Sequence, residues 1–138
     1  MYQRVRAVGH EHVAAEHTST LELTSDDWLT PAGDCIVGVE ADPVPEAFDP
    51  EFVEACRSRG ATIAATLCVG GHEQTVTGSG HPELSFDNDR SMVLRTSDYV
   101  DDRTVMVDAD TAAAGIDRGI VDALAAGAEL DCLFAVER

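Results

Sequence analysis

The sequence predicts an α+β fold, mostly β with two short helices, arranged as two related halves. Three observations carry this expectation. A stretch of the chain recurs 68 residues on, each copy contains one helix signal, and each helix signal is framed by apolar, β-branched strand patterns.

The repeat sets Val37–Cys56 against Val105–Leu124, with Val37/Val105, Val39/Val107, Ala41/Ala109, Asp42/Asp110, Asp49/Asp117, Val53/Val121 and Ala55/Ala123 identical. After a one-residue deletion it continues through Gly60/Gly127, Ala61/Ala128 and Val69/Val136. In each copy an alternating segment (Cys35–Val39; Thr104–Val107) reads as a strand. Asp49 and Asp117 stand where a helix N-cap belongs, and Pro50 and Glu51 suit a first turn. Phe52, Val53 and Cys56, like Ile120, Val121 and Leu124, follow helical spacing. Gly60 and Gly127 are expected as left-handed caps, and closing strands are expected over 61–69 and 129–136. Upstream, Thr24-Ser25-Asp26 echoes Thr96-Ser97-Asp98, and Val8-Gly9-His10-Glu11 echoes Val69-Gly70-Gly71-His72-Glu73. The glycines of Gly70-Gly71 and Gly78-Ser79-Gly80 read as hairpin turns. One domain over 1–138 is expected, with halves at approximately 1–69 and 70–138. Their strands share a mixed sheet or close into a pseudo-twofold barrel.

Apolar residues make up 44% of the chain but aromatics only 5%, so the core must rest on Val, Ala, Leu and Ile. The 26 acidic residues outnumber 9 basic ones, all Arg, for a formal charge of -17. An apolar pattern that survives such acidity points to a folded chain adapted to high salt, where self-repulsion is screened. Acidity of that origin does not exclude a nucleic-acid partner. No secretory pattern or membrane-length apolar run occurs, and Cys35, Cys56, Cys68 and Cys132 lack CxxC spacing. Reduced, buried thiols in a cytoplasmic protein without a membrane partner are the expectation.

The densest polar cluster is His10-Glu11-His12, with His17 five residues on. His10 and His12 at i, i+2 would share one side of a strand, making His10, His12 and His17 candidate metal ligands; no third and fourth ligand follows at a known spacing, so an exposed or hydrogen-bonded turn is the preferred reading. Gly33-Asp34-Cys35 reads as a tight turn. Its Asp34 either bonds local backbone or serves as a base beside Cys35, which lacks an adjacent His to activate it. Arg95-Thr96-Ser97-Asp98-Tyr99 offers Arg95, Ser97 and Asp98 for a phosphate or carboxylate, or simply a turn with a surface ion pair. No phosphate-binding loop, dinucleotide fingerprint, serine-hydrolase elbow or zinc-finger spacing is present.

Gly9-His10 with His17, Thr20 and Glu22, the run Gly33–Val39 with Ala41-Asp42, Thr96–Tyr99 with Arg103-Thr104, and Ala109-Asp110 together resemble an archaeal family. It is domain-of-unknown-function family 371, and the likeness runs along nearly the whole chain. The resemblance implies an archaeal source and assigns no activity or cofactor. The family pattern carries Asn where this chain has His12, which favours His10 and His17 over a paired-His site.

Three functional readings follow. In the first, His10, His17, Asp34 and Asp98 are catalytic candidates and Arg95, Ser97 and Cys35 bind a small, anionic ligand, all within one ligand's span. In the second, the chain is a nonenzymatic RNA- or protein-binding partner using an acid-free patch of Arg4, Arg6, Arg90, Arg95 and Arg103. In the third it binds a metal through histidines.

Overall fold

The computed structural model describes residues 1–138. Its strands are β1 (Tyr2–Val8), β2 (Thr20–Thr24), β3 (Ile36–Asp42), β4 (Thr62–Val69), β5 (His72–Ser79), β6 (Ser91–Arg95), β7 (Thr104–Met106) and β8 (Glu129–Glu137). Helix α1 (Pro50–Cys56) lies between β3 and β4, and α2 (Arg118–Ala125) between β7 and β8, each preceded by one 3₁₀ turn. The fold is α+β and mostly β, as the repeat and its flanking patterns imply.

All eight strands belong to one mixed sheet in the order β5-β4-β8-β1-β3-β2-β6-β7. The β2/β3 and β6/β7 pairs are parallel and the others antiparallel. The sheet curls until its outermost strands meet at a single bridge, where Ser79 and Val107 exchange hydrogen bonds of 2.7 and 3.0 Å. No continuous ladder joins β5 to β7, so the sheet stays open apart from that bridge. Inside the curl, 36 buried residues form one cluster. All four phenylalanines (Phe48, Phe52, Phe86, Phe134) pack together there, with centroids 5.9 to 6.3 Å apart. Pooling the few aromatics in one place adds about 0.5–1.5 kcal/mol per pair beyond their buried area.

Both helices begin as their sequences dictate. The Asp49 carboxylate accepts the Glu51 N–H at 2.9 Å, and that of Asp117 accepts the Gly119 N–H at 2.7 Å. At the other end, α2 stops at Gly127, which has φ +90 and follows the expected cap geometry. Helix α1 does not reach Gly60. It ends at Cys56, and Gly60 instead donates its N–H to Ser58 Oγ at 3.2 Å within the following turn.

The two halves keep equivalent contacts at three slightly different spacings. Gln3 and Gln74 each accept the N–H of a cap, Asp49 and Asp117, at 2.7 Å. Gly9 donates to Ala128 O at 2.8 Å, and Gly80 to Ala61 O at 2.9 Å. A Cβ on Gly9 would strike Leu124 O, and one on Gly80 would strike Cys56 O, so close helix approach demands glycine at both places. The counterpart of Gly9-His10 is therefore Gly80-His81, not Gly70-Gly71-His72. Gly70-Gly71 is the two-residue hairpin turn between β4 and β5, with φ +53 and +88. Gly78-Ser79-Gly80 is no turn: Gly78 and Ser79 lie in β5, and Gly80 makes that close approach. Likewise β2 and β6 align Ser25-Asp26-Asp27-Trp28 with Thr96-Ser97-Asp98-Tyr99, one residue off the sequence echo. The bonds Glu40 N to Asp26 O and Asp108 N to Ser97 O fix that register.

The four cysteines differ in burial. Cys56 and Cys132 are buried and Cys35 is half-buried, but Cys68 is exposed because alternation along β4 turns it outward. No helix is long and apolar enough to cross a membrane.

Candidate functional site

Strand β2 reads Thr20-Leu21-Glu22-Leu23-Thr24. Its period of two sends Leu21 and Leu23 into the core and the polar residues to the outer face. Antiparallel pairing with β6 sets Thr20 opposite Arg95, Glu22 opposite Val93 and Thr24 opposite Ser91. Because β2/β3 and β6/β7 are parallel, the chain must cross over the sheet twice, through 25–35 and 96–103. Both crossovers pack on the sheet, Leu29 of one belonging to the core cluster and Val100 of the other packing against it. They bury Thr24, Ser91, Val93 and Thr104 although these face away from the core.

Between the crossovers lies a cluster of interacting polar groups. Glu22 N donates to Cys35 O at 2.9 Å, and at the equivalent place Val93 N donates to Arg103 O at 2.8 Å. Cys35 and Arg103 thus arrive on either side of the Glu22–Val93 pair. The Cys35 thiol lies 3.8 Å from Glu22 Oε1. Arg95 donates from Nε to Thr104 Oγ1 at 2.8 Å and from Nη2 to Asp101 Oδ2 at 3.0 Å, with its guanidinium 4.9 Å from the centre of the Tyr99 ring. Asp101 also receives Arg103 Nη2 at 3.4 Å, and its pairs with both arginines make it the common anchor. No arginine nitrogen comes within 4.0 Å of the Glu22 carboxyl.

The electrostatics follow from burial and neighbours. Desolvation pushes the Glu22 carboxyl above its ordinary value of 4.5, against the pull of Arg103, Ser91, Cys35 and Arg95. Burial, then the charge of Glu22, pushes the Cys35 thiol up, so Cys35 is a thiol and not an activated nucleophile. Burial alone would raise Asp101, but the Arg103 N–H, the charge of Arg95 and the Thr104 hydroxyl outweigh it and hold that carboxyl low.

The candidates from sequence divide into those that meet here and those that do not. His17 and Asp34 are joined through backbone, His17 N donating to Asp34 O at 3.3 Å. The His17 ring supports the start of β2, its Nδ1 accepting the Thr20 N–H at 3.2 Å. Arg95, Cys35, His17 and Asp34 therefore border one region. Ser97 and Asp98 lie exposed on its rim, and Ser97 Oγ accepts the Tyr99 N–H at 3.3 Å.

His10 is elsewhere. It follows Gly9 at the C-terminal end of α2, whereas His17 O accepts the Ala114 N–H just before that helix. The eight residues of α2, about 12 Å long, lie between these two points of contact. His10 Nδ1 accepts the His12 N–H at 3.1 Å, as His81 Nδ1 accepts the Glu83 N–H at 3.0 Å. Both rings close turns. His17 matches Asn88, whose Oδ1 accepts the Arg90 and Ser91 N–H groups. His10 and His12 lie 5.3 Å apart, and no three His, Cys, Asp or Glu side chains converge as metal ligands. The three-histidine site is therefore not assembled.

The arginine patch is not free of acids: Arg4 pairs with Asp131, and Arg95 and Arg103 pair with Asp101. A separate open groove of about 610 Å³ includes Arg4, Arg6, Asp42, Cys68 and Asp131 in its lining and contains none of the candidate catalytic or ligand-binding residues. Sequence reasoning does not single out Glu22, Ser91 or Asp101 for the site. The available signal is that Glu22 is a lone acid at the centre of an alternating strand.

The comparisons agree with this picture of a chain matched along its length. The family model described as "Domain of unknown function (DUF371)" matches residues 5–137. The uncharacterized protein MJ0206 of Methanocaldococcus jannaschii is 40% identical over 126 residues, covering 91% of this chain and 93% of that one. The chain belongs to the DUF371 family.

Proposed function

We propose that this chain is a small-molecule-binding domain that takes an anion on the outer face of β2 and β6, between the two crossovers. One observation carries the reading. Three pairs of corresponding positions that differ in chemical character (Glu22 against Val93, Thr24 against Arg95, Cys35 against Arg103) meet on this one face. The backbone contacts around them match, Glu22 N donating to Cys35 O as Val93 N donates to Arg103 O. Arg95 and Arg103, anchored by Asp101, supply the positive charge, and Thr20, Ser91 and Cys35 supply neutral polar groups. His17 and Asp34 shape the loop that borders the face.

The halves derive, on this reading, from one duplicated strand-and-helix unit folded as a single domain. The excess of acids keeps the domain dispersed in concentrated cytoplasmic salt.

The test is a thermal-shift series with sulfate and trifluoroacetate at constant ionic strength, read beside the fluorescence of Trp28, the single tryptophan, which lies on one crossover. An anion present at a hundredfold its dissociation constant stabilises the fold by about 2.7 kcal/mol. Arg103→Ala is expected to abolish the shift. Equal shifts in wild type and Arg103→Ala, or none with either anion, would remove the reading.

A further inference from the structure

We propose that the open groove along the outer face of β1 binds a short zwitterion, with its carboxylate on Arg6 and its ammonium group between Glu40 and Glu129. This site is separate from the anion face between the crossovers. The groove holds about 610 Å³, and Arg4, Arg6, Val8, Glu40, Glu129 and Asp131 are among its lining. Alternation along β1 buries Val5 and Ala7 and turns Arg4, Arg6 and Val8 outward in one line. Pairing then decides what flanks each of them. Asp131 of β8 and Asp42 of β3 stand on either side of Arg6. Glu129 stands opposite Val8 on β8, and on the β3 side a bulge brings in Glu40, at φ +54.

Arg4 engages Asp131, its Nε donating to Oδ1 at 2.9 Å and its Nη2 to Oδ2, so that pair is satisfied. Arg6 is different: none of its nitrogens lies within 4.0 Å of a carboxylate, and Glu40 and Glu129 are likewise in no ion pair. An unengaged guanidinium and two unengaged carboxylates therefore stand two residues apart along β1, about 7 Å by strand rise. Half-buried Val8 forms an apolar floor beneath the acidic end. A bare anion would be repelled by Glu40, Asp42 and Glu129, and a bare cation by Arg6. A ligand with both charges about 7 Å apart meets an opposite charge at each end. A dipeptide has that span, because an extended chain covers about 3.5 Å per residue, and so has a linear ω-amino acid of the same length. The fold itself does not demand these charges. The shared cap contact of Gln3 and Gln74 sets Thr75 and Thr77 at the places of Arg4 and Arg6. There Asp110 N still donates to Thr77 O at 2.8 Å, so the strand contact is made without an arginine.

The experiment is an NMR titration of the isotope-labelled full chain, at one fixed salt concentration, with diglycine, δ-aminovalerate, N-acetyldiglycine and diglycinamide. The two zwitterions should move the backbone amides of Arg6, Val8, Glu40 and Glu129 saturably, and the tighter of them tells a peptide from a plain ω-amino acid. Blocking either end of diglycine should weaken binding by about tenfold or more, the worth of one charge-assisted contact. Arg6→Gln should weaken diglycine by a similar factor and leave diglycinamide unchanged. Glu129→Gln should weaken diglycine and diglycinamide but not N-acetyldiglycine. No saturable shift with either zwitterion, saturable shifts confined to another part of the chain, or a blocked diglycine binding as tightly as the free one overturns the proposal. Those three readouts are taken on the wild type, so the outcome does not depend on a variant folding.

Discussion

Gln3 Oε1 accepts the backbone N–H of Asp49 at 2.7 Å, tying β1 to the start of α1. Asp49 in turn caps the helix, and Gln74 with Asp117 repeats the arrangement for α2. Asp49→Ala and Asp117→Ala should each cost about 1 kcal/mol in urea unfolding. Because the two caps lie on separate helices, the double variant should lose close to the sum. A loss below a few tenths of a kcal/mol in both single variants would show that the glutamines hold the helix starts unaided.

Gly9 and Gly80 admit no side chain, since each Cβ would lie on a helix carbonyl oxygen. Gly9→Ala and Gly80→Ala should each destabilise by about 3 kcal/mol or more. Gly60→Ala, where the nearest atom is Ser58 Oγ at 3.8 Å, should stay within about 1 kcal/mol of the wild type. Circular dichroism melts of the three variants check the contrast.

Much of the fold is legible in the sequence because the same short-range signals are written twice. Asp49 and Asp117 cap as their positions demand, and alternation in both closing strands gives β4 and β8. The misreadings have a common cause: glycine tells that backbone is special without telling why. Gly80 looks like a turn residue and is a packing residue, and Gly60 looks like a cap and is not one. The site was half legible. Cys35 and Arg95 stand out as reactive or charged residues beside turns. Glu22 is one acid among 26, and what sets it apart is its neighbours across β6 and from two crossovers, which only the folded chain brings together. His10 and His17 are drawn together by proximity in sequence, and α2 separates them.

Thiol reactivity should follow burial. With an aromatic disulfide reagent on the native protein, Cys68 should react first and Cys35 slowly. Cys56, whose thiol burial pushes up to about 12, and the fully buried Cys132 should react only on unfolding. Mass-mapped labelling that finds Cys132 modified before Cys68 would contradict the strand faces described.

Acid should affect Glu22 and Asp101 in opposite senses. Glu22 titrates above 4.5 in the fold, so its contribution is fully present below that value and is lost as pH rises through the native one. Asp101 titrates below 3.8, so its contribution is present above 3.8 and is lost as pH falls through the native value. Glu22→Gln should therefore raise the melting temperature at neutral pH, with the gain shrinking toward acid. Asp101→Asn should lower it at neutral pH, with the loss shrinking in strong acid.

With a formal charge of -17, the chain should gain stability from salt. Raising KCl from about 0.1 M to about 1 M shortens the Debye length from about 10 Å to about 3 Å, and the melting temperature should climb with it. A flat or falling midpoint would contradict salt adaptation.

The meeting of Glu22 and Val93 has a consequence for how such a protein can come to exist. Residues equivalent in the two halves stand opposite each other there, so two identical, separate chains assembled the same way would set residue 22 against its own copy. A carboxyl at that place would face a second carboxyl, and a valine would face a second valine. Neither homodimer could offer one acid beside one arginine. If the halves derive from one duplicated unit, as proposed, linking the units covalently frees the two partners to drift apart at a shared point, and a lone carboxyl becomes attainable only then. On that reading the covalent tie between the halves would be a chemical device, since it permits asymmetry at the one place where symmetry would forbid it.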